Sequence, residues 1–370
     1  MAIAVGGGFL PSLPEIGAFG AVLNTGLPWV LGASALATGL AGLAIALGGR
    51  KTVVLLVANL VILGGSLFIG FRYVTFARDH GATYDILRAA DGFPPIPDAD
   101  TKLVFATIEG IELHAGLWLP AGAQAAAAHS LPAVVFVHGG AFQGGFIGTR
   151  PTLLGAVRSA GIVAIDVEYR LSPPPRWDQA PADVVCALAW AATAPELPMV
   201  DPGRVVIVGE SAGGNLAMVA GYAAGTGMIS SSCPDVGAPI VPVGVFAICP
   251  TADLEGIWQD ASIHDFSGNR FPEGYIGGTP AQFPDRYTAA EPFRLLRADL
   301  PPTVILAGET DHFVHLDRLT STADRIRAAG AQIELLVAPF AGHGFDGEPN
   351  SFGAQLSETI IPAFVHRVAG

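Results

Sequence analysis

The stretch Arg204-Val205-Val206-Ile207-Val208-Gly209-Glu210-Ser211-Ala212-Gly213-Gly214 decides how the rest of the chain is read. Val205 to Val208 is a β-branched run with no polar break, the pattern of a strand buried on both faces of a parallel sheet. Gly209 and Gly213 flank Ser211 at the spacing of a sharp strand-to-helix turn, where a side chain at either place would strike the neighbouring strand or helix. The small, apolar run Asn215 to Ala224 then starts a helix whose first amides lie beneath Ser211, at the positive end of the helix dipole. A Gly-x-Ser-x-Gly string is weak evidence alone in a chain with 47 glycines, where a plain Gly/Ser turn reads the same way. Its meaning depends on what stands at the ends of the other strands.

Outward from that turn, strands and helices alternate. A hairpin is expected from Leu103 to Ile108 and Ile111 to Leu119 about Glu109-Gly110. Further strands are expected at Ala133 to Val137, Ile162 to Val167, Val243 to Ile248, Thr303 to Ala307 and Ile333 to Val337. Helical patterns lie between them at Thr152 to Ala160, Ala180 to Ala192 and Asp317 to Ala329, with a last helix at Gln355 to Val368. The order predicts a mostly parallel sheet covered on both faces, with an antiparallel hairpin at its N-terminal edge.

Acyl transfer through a serine needs a base, an acid to orient that base, and donors for the oxyanion. Strand ends supply each of them. After Val137 come His138-Gly139-Gly140-Ala141-Phe142, whose glycines leave amides uncovered; Gly139, Gly140 and Ala212 are the expected oxyanion donors. After Ala307 come Gly308-Glu309-Thr310-Asp311, with Asp311 the expected acid and Glu309 its rival, slightly early in the loop. After Val337 comes Ala338-Pro339-Phe340-Ala341-Gly342-His343-Gly344-Phe345. The chain has nine histidines. His138 precedes the serine, His312 and His315 share the acid's loop, and His366 falls in the last helix. His343 is left as the base, in the order serine, aspartate, histidine.

The set HGGAF (138 to 142), EYRLSPPPRW (168 to 177), GESAGGN (209 to 215), GETDHFV (308 to 314) and AGHGF (341 to 345) resembles the α/β-hydrolase esterases related to hormone-sensitive lipase and to acetyl-esterase or feruloyl-esterase-like carboxylesterases. The resemblance covers residues 100 to 370. It implies the α/β-hydrolase fold, Ser211 as nucleophile, His343 as base, Asp311 as acid, hydrolysis of a small-molecule ester, and no metal or organic cofactor. It also implies that Tyr169-Arg170-Leu171 and Asp183 brace the sheet edge. Ala141 in place of a third glycine and Glu210 in place of aspartate depart from the lipase-like branch and fit the carboxylesterase side. Phe142, Glu210 and Trp258 are the expected substrate-binding residues. An insertion at residues 251 to 299 carries Trp258, Phe266, Phe271, Tyr275, Phe283, Tyr287 and Phe293, which read either as an apolar wall over the site or as core. An amidase or formamidase with the same triad, and a non-catalytic ligand receptor on the same fold, are the alternative readings; receptors resembling this family typically lack the histidine that His343 supplies.

The N-terminal region has a different character. Leu27 to Gly48 and Val53 to Phe71 carry no charge, and each is long enough to cross about 30 Å of hydrocarbon as a helix. Only Gly49-Arg50-Lys51-Thr52 separates them, so residues 1–75 are expected to form a membrane-anchoring hairpin, followed by a linker over 76–100 that ends in Pro94-Pro95-Ile96-Pro97. Gly32, Ala35, Gly39, Gly42 and Ala46 recur at helical spacing and predict a close helix contact; the same apolar faces also suit association between copies. The alternative is a hydrophobic hairpin buried on the catalytic domain. Residues 1–26, broken by glycines and prolines and without a basic start, read as interfacial rather than as a cleavable signal. Arg50 and Lys51 favour a cytoplasmic turn and an extracytoplasmic catalytic domain, whereas Arg72 and Arg78 pull the other way.

With 32 acidic against 19 basic residues, the lack of a basic stripe argues against nucleic acid as a partner. A hydrophobic content of 51% with only 14% charged residues is concentrated at the N-terminus. Cys186, Cys233 and Cys249 lack metal-ligand spacing and read as free thiols, or as one bridge between Cys233 and Cys249.

Overall fold

The computed structural model describes residues 5, 9, 23–47, 52–91, 97–260 and 270–370. Most of residues 1–26, the Arg50-Lys51 turn, most of the proline-rich boundary and Phe266 therefore lie outside the described residues. The chain divides into two compact units: residues 96–307, 313–336 and 361–370 form one, and residues 1–95, 308–312 and 337–360 the other.

The first unit is built on the sheet. Strands β1 (Thr101–Ile108) and β2 (Ile111–Trp118) form the expected hairpin. Then follow β3 (Leu131–Val137), β4 (Val163–Val167), β5 (Val200–Glu210), β6 (Gly244–Ile248), β7 (Thr303–Gly308) and β8 (Ile333–Ala338). Their order across the sheet is β1-β2-β4-β3-β5-β6-β7-β8. β2 runs antiparallel to β4, and the pairs β4–β3, β3–β5, β5–β6 and β6–β7 are parallel. Reversal of order about β3 and β4 lets helices cover both faces, as parallel crossovers require.

The covering helices are α4 (Pro151–Ser159), α5 (Gln179–Thr193), α6 (Ala212–Ala223) and α10 (Leu316–Ala328). Every residue of α6 is buried, which fits a helix made of alanine, glycine and apolar residues with Asn215 its one strongly polar member. At the hairpin edge, the buried Arg170 guanidinium forks onto Asp183 with two bonds of 2.9 Å. It also reaches Glu109 in the β1–β2 turn at 3.1 Å. The bracing role expected of this pair is what the geometry gives.

The described residues of the insertion include three short α-helices that a hydrophobic-period reading misses: α7 (Leu254–Gln259), α8 (Arg270–Ile276) and α9 (Pro284–Ala290). Of its aromatics, Phe271, Tyr275 and Tyr287 join the main buried cluster, so for these the core reading holds. The cysteines differ from expectation. Cys186 on α5 is bonded to Cys233, their Cα atoms 5.3 Å apart. Cys249, buried just after β6, takes no part in that bond.

The second unit holds α1 (Leu23–Ala46), α2 (Val53–Asp79), α3 (Ile86–Ala90), the loops after β7 and β8, and the start of α11 (Phe352–Ala369). α2 continues two turns beyond the expected end at Phe71, through Arg72 and Arg78, because Tyr73 and Ala77 on its inner face are buried. α1 and α2 lie against each other, but not through the small-residue stripe. Gly32, Gly39 and Gly42 have nothing within 4 Å of a would-be Cβ. Among the described side chains of α1 the buried ones are Leu27, Val30, Ser34 and Ala41, and a Cβ on Gly70 of α2 would lie 3.5 Å from Leu27. The stripe faces outward, together with the large apolar side chains of Leu36, Leu40 and Leu43.

Candidate active site

Ser211 follows the last residue of β5 and precedes α6, with φ 52° and ψ −117°. Such a conformation is costly for a residue with a side chain and persists only where its surroundings impose it. Here they do. A Cβ on Gly209 would lie 2.1 Å from the Gly213 carbonyl oxygen, and one on Gly213 would lie 2.1 Å from that of Val137. Both glycines are required by close approach, for the reason that the sequence reading gave. The Ser211 amide donates to Ile248 at 2.8 Å, and the Ser211 carbonyl accepts from Asn215 and Thr251 at 3.1 and 3.2 Å. Asn215 in turn donates from Nδ2 to Thr251 and Ala290 at 2.9 and 3.2 Å. The turn is thereby tied to β6 and to the insertion.

The glycine loop after β3 comes up beside this turn. A Cβ on Gly139 would sit 3.2 Å from that of Ser211 and 3.1 Å from the Glu210 carbonyl oxygen. Gly140 has φ 118°, and its carbonyl accepts from Gln143 and Gly144 at 3.0 and 2.9 Å. Among the described residues, none of the loop and cap hydrogen bonds uses the amides of Gly139, Gly140 or Ala212. Ala212 is the first residue of α6, where the amide has no partner within the helix. His138 holds the loop from below. It is buried, its Nδ1 lies 2.8 Å from the Gly139 carbonyl, and its ring stacks on Tyr169 at 4.6 Å. Burial pushes its pKa down, which disfavours the charged ring.

Two of the expected substrate-binding residues are engaged in the framework. Phe142 is fully buried, with its ring flat on Tyr275 at 3.8 Å, so it packs the glycine loop onto α8. Glu210 is ion-paired to Arg150, the residue before α4, with both side chains nearly buried. The Glu210 carboxylate, so paired, lies beside the Gly139 backbone. The third, Trp258 on α7, donates its indole N–H to Glu273 at 2.8 Å.

The base and acid candidates meet in the second unit. Nδ1 of His343 lies 2.9 Å from Oδ2 of Asp311, whose carboxylate is wholly buried while the imidazole is partly exposed. The two loops are laced together: the Thr310 amide and hydroxyl both donate to Ala341, at 2.9 and 3.1 Å, and the Glu309 amide donates to Ala338 at 2.9 Å. Glu309, the rival acid, uses its carboxylate to accept the Phe340 amide at 2.9 Å. Of the rival histidines, His315 faces Asp260 at 3.5 Å and His366 faces the Ala160 carbonyl at 3.2 Å. The clamp between Glu309 and the base loop is a feature that sequence reasoning missed; a carboxylate two residues from the acid gave no signal of it.

Comparison with known proteins gives a consistent picture. Residues 134–347 match a family model described as alpha/beta hydrolase fold. Esterase LipC of Mycobacterium tuberculosis is 28% identical over 221 residues, covering 58% of this chain and 53% of that protein. Ethyl acetate hydrolase of Pseudomonas putida is 26% identical over 262 residues, covering 67% of this chain and 76% of that protein. The chain therefore spans about half the length of the first of these relatives. Among solved structures, the propionate-bound esterase Est2 of Thermogutta terrifontis superposes with a TM-score of 0.60 at 26% identity, over 74% of this chain and 96% of the other.

Proposed function

Since the chain belongs to the α/β-hydrolase fold family, we propose that it is a membrane-anchored serine carboxylesterase that hydrolyses short-to-medium acyl esters through an acyl-enzyme on Ser211. The observation that carries this reading is the strained serine turn, with both flanking glycines forced by contact. The Asp311–His343 pair and the esterase activities named for LipC, ethyl acetate hydrolase and Est2 support it. Ser211, Asp311 and His343 all follow the C-terminal ends of strands of one sheet, where open α/β sheets keep their sites.

In this mechanism Asp311 accepts Nδ1–H of His343, which leaves Nε2 to exchange protons. Ser211 Oγ attacks the ester carbonyl carbon as its proton passes to Nε2. The carbonyl oxygen becomes an oxyanion held by the amides of Gly139, Gly140 and Ala212. Collapse breaks the ester C–O bond, and Nε2–H protonates the leaving alcohol. Water then attacks the acyl-serine by the same route, releasing the acid and restoring Ser211. Replacing Ser211 with Ala is expected to cut p-nitrophenyl butyrate turnover by about ten-thousandfold or more and to abolish fluorophosphonate labelling. Undiminished turnover would reject the assignment.

Anchoring rests on α1 and α2. Both are long and apolar enough to cross a bilayer, and only 17% of each span's most apolar window is buried within the protein. The Cys186–Cys233 disulfide is of a kind that persists in oxidising compartments and, with Arg50 and Lys51, supports the reading of an extracytoplasmic catalytic domain, against which Arg72 and Arg78 pull. The full chain should sediment with membranes and resist carbonate extraction; recovery in the soluble fraction without detergent would refute anchoring.

A further inference from the structure

The buried face of α2 is confined to its last four turns, and its Tyr73 meets the start of α11. Ser66, Ile69, Tyr73 and Ala77 form this face at intervals of three and four residues. The Tyr73 ring lies parallel to that of Phe352 at 4.0 Å, and Tyr84 closes the pair edge-on, 6.0 Å from one ring and 5.6 Å from the other. Phe352 begins α11 and is fully buried. A Cβ on the next residue, Gly353, would lie 2.3 Å from the Phe345 ring, and Ser351 donates its hydroxyl to the Phe345 carbonyl at 3.2 Å. Phe345 is two residues from His343. On the other side of the base, Phe340 meets Phe68 of α2 edge-on at 6.2 Å. Phe340 has φ 52°, a left-handed conformation that an aromatic residue keeps only under constraint. Around it stand the Phe68 ring and, nearer at 5.5 Å, that of Phe9, while the Glu309 carboxylate holds its amide.

Polar contacts repeat the connection one step further along. The Gln355 amide group spans the backbone of Asp85, accepting from its N–H at 2.8 Å and donating to its carbonyl at 3.0 Å. Arg88 bonds Glu358 at 2.7 Å and Asn350 at 2.9 Å. The segment from His343 to the start of α11 is thus gripped by α2 and by the chain that leaves it.

We propose that the inner half of α2 is a positioning element for the reaction, with Tyr73 on Phe352 and Phe68 on Phe340 holding the His343 loop in the attitude that lets the imidazole serve Ser211. The inference rests on the reading of His343 as general base. It makes the second hydrophobic helix more than an anchor: the same helix that enters the bilayer fixes the base. Acid–base catalysis needs placement to a fraction of an ångström, and an error of about 1 Å costs on the order of a hundredfold.

The test uses the full-length protein in detergent or nanodiscs, with active sites counted by fluorophosphonate titration so that kcat refers to competent molecules. Tyr73→Leu and Phe68→Ala should each lower kcat per titrated site about tenfold or more with KM within about twofold, and should displace the acidic limb of the kcat/KM pH profile. Tyr73→Phe, which keeps the ring stack, should restore both. Unchanged kcat per site and pH profile, with only the number of titrated sites reduced, would assign these residues a structural role alone and overturn the proposal. Failure of the wild-type protein to label at Ser211 would instead overturn the triad, and the positioning role with it.

Discussion

Two uncharged helical stretches, α6 and the outer half of α2, are both apolar and have opposite surroundings. All twelve residues of α6 are buried, packed between β5, β6 and α5. The outer half of α2 leaves Val54 76%, Leu55 59% and Val61 69% exposed, and none of its residues before Ser66 is buried. Leaving one large aliphatic side chain in water rather than burying it forfeits about 1.5–3 kcal/mol. So many exposed apolar side chains call for a cover, which the proposed bilayer or another protein would supply. Hydropathy marks both helices as apolar; the sheet covers one, and the proposed bilayer covers the other.

The sharpest way to separate the two environments is to add a single methyl group. Gly213→Ala would place a Cβ 2.1 Å from the Val137 carbonyl oxygen and 2.4 Å from that of His138. Neither strand nor turn can retreat without breaking the sheet, so loss of more than about 4 kcal/mol is expected, visible as insoluble or unfolded protein. A well-folded, active Gly213→Ala variant would show that the turn is not built as described.

A charge probes the other environment. Val61→Lys lies on an exposed position of α2, where in water it would change stability by less than about 0.5 kcal/mol. Within hydrocarbon the same change costs about 2.5–3.5 kcal/mol in insertion. The membrane-bound fraction should therefore fall several-fold, measured by sedimentation and carbonate extraction. An unaltered fraction would place this face in water or against another protein.

How much of this was legible in the chain follows from the same contrast. Continuous β-branched runs identify buried strands, and forced glycines identify the serine turn, because backbone sterics leave one solution. Composition does not reveal which face of a helix meets what. The glycine stripe of α1 points outward, and the stack of Tyr73 on Phe352 joins distant segments through rings that read equally as lipid-facing or core. The Cys186–Cys233 bond likewise depends on tertiary proximity, which spacing along the chain does not encode. The helices of the insertion are too short to display a period.

Burial inside the sheet has a cost of its own, which pH exposes. The Asp166 carboxyl on β4 is fully buried and accepts the Gly148 amide at 2.6 Å. Burial raises its pKa from 3.8 to about 7. Burial, then the nearby Asp253, raises that of Glu291 from 4.5 to about 8. Between the unfolded and folded values the native chain holds protons that the unfolded chain has lost, so stability from these groups is complete below about pH 4 and declines as pH rises through 7 to 8. Asp166→Asn, which keeps an oxygen for Gly148, should raise the melting temperature by a few degrees at pH 8 and flatten its slope between pH 5 and pH 8. An unchanged slope would mean that the carboxyl is ionised when folded.

The smallest effect is expected where α1 carries its glycines. Gly39→Ala meets nothing within 4 Å, so it lacks the collision of Gly213→Ala, and in a helix interior alanine is favoured over glycine by about 0.8–1 kcal/mol. If the stripe faces lipid, the variant should insert and hydrolyse ester as the wild type does, with equal or slightly higher thermal stability in detergent. If instead the glycines meet another copy of α1, the added methyl separates the helices, and cross-linking of the solubilised protein should show a change in oligomeric state. The same one-carbon change thus meets a carbonyl wall in the sheet and open space on the described face of α1, and the response of α1 tells whether lipid or a second copy covers that face.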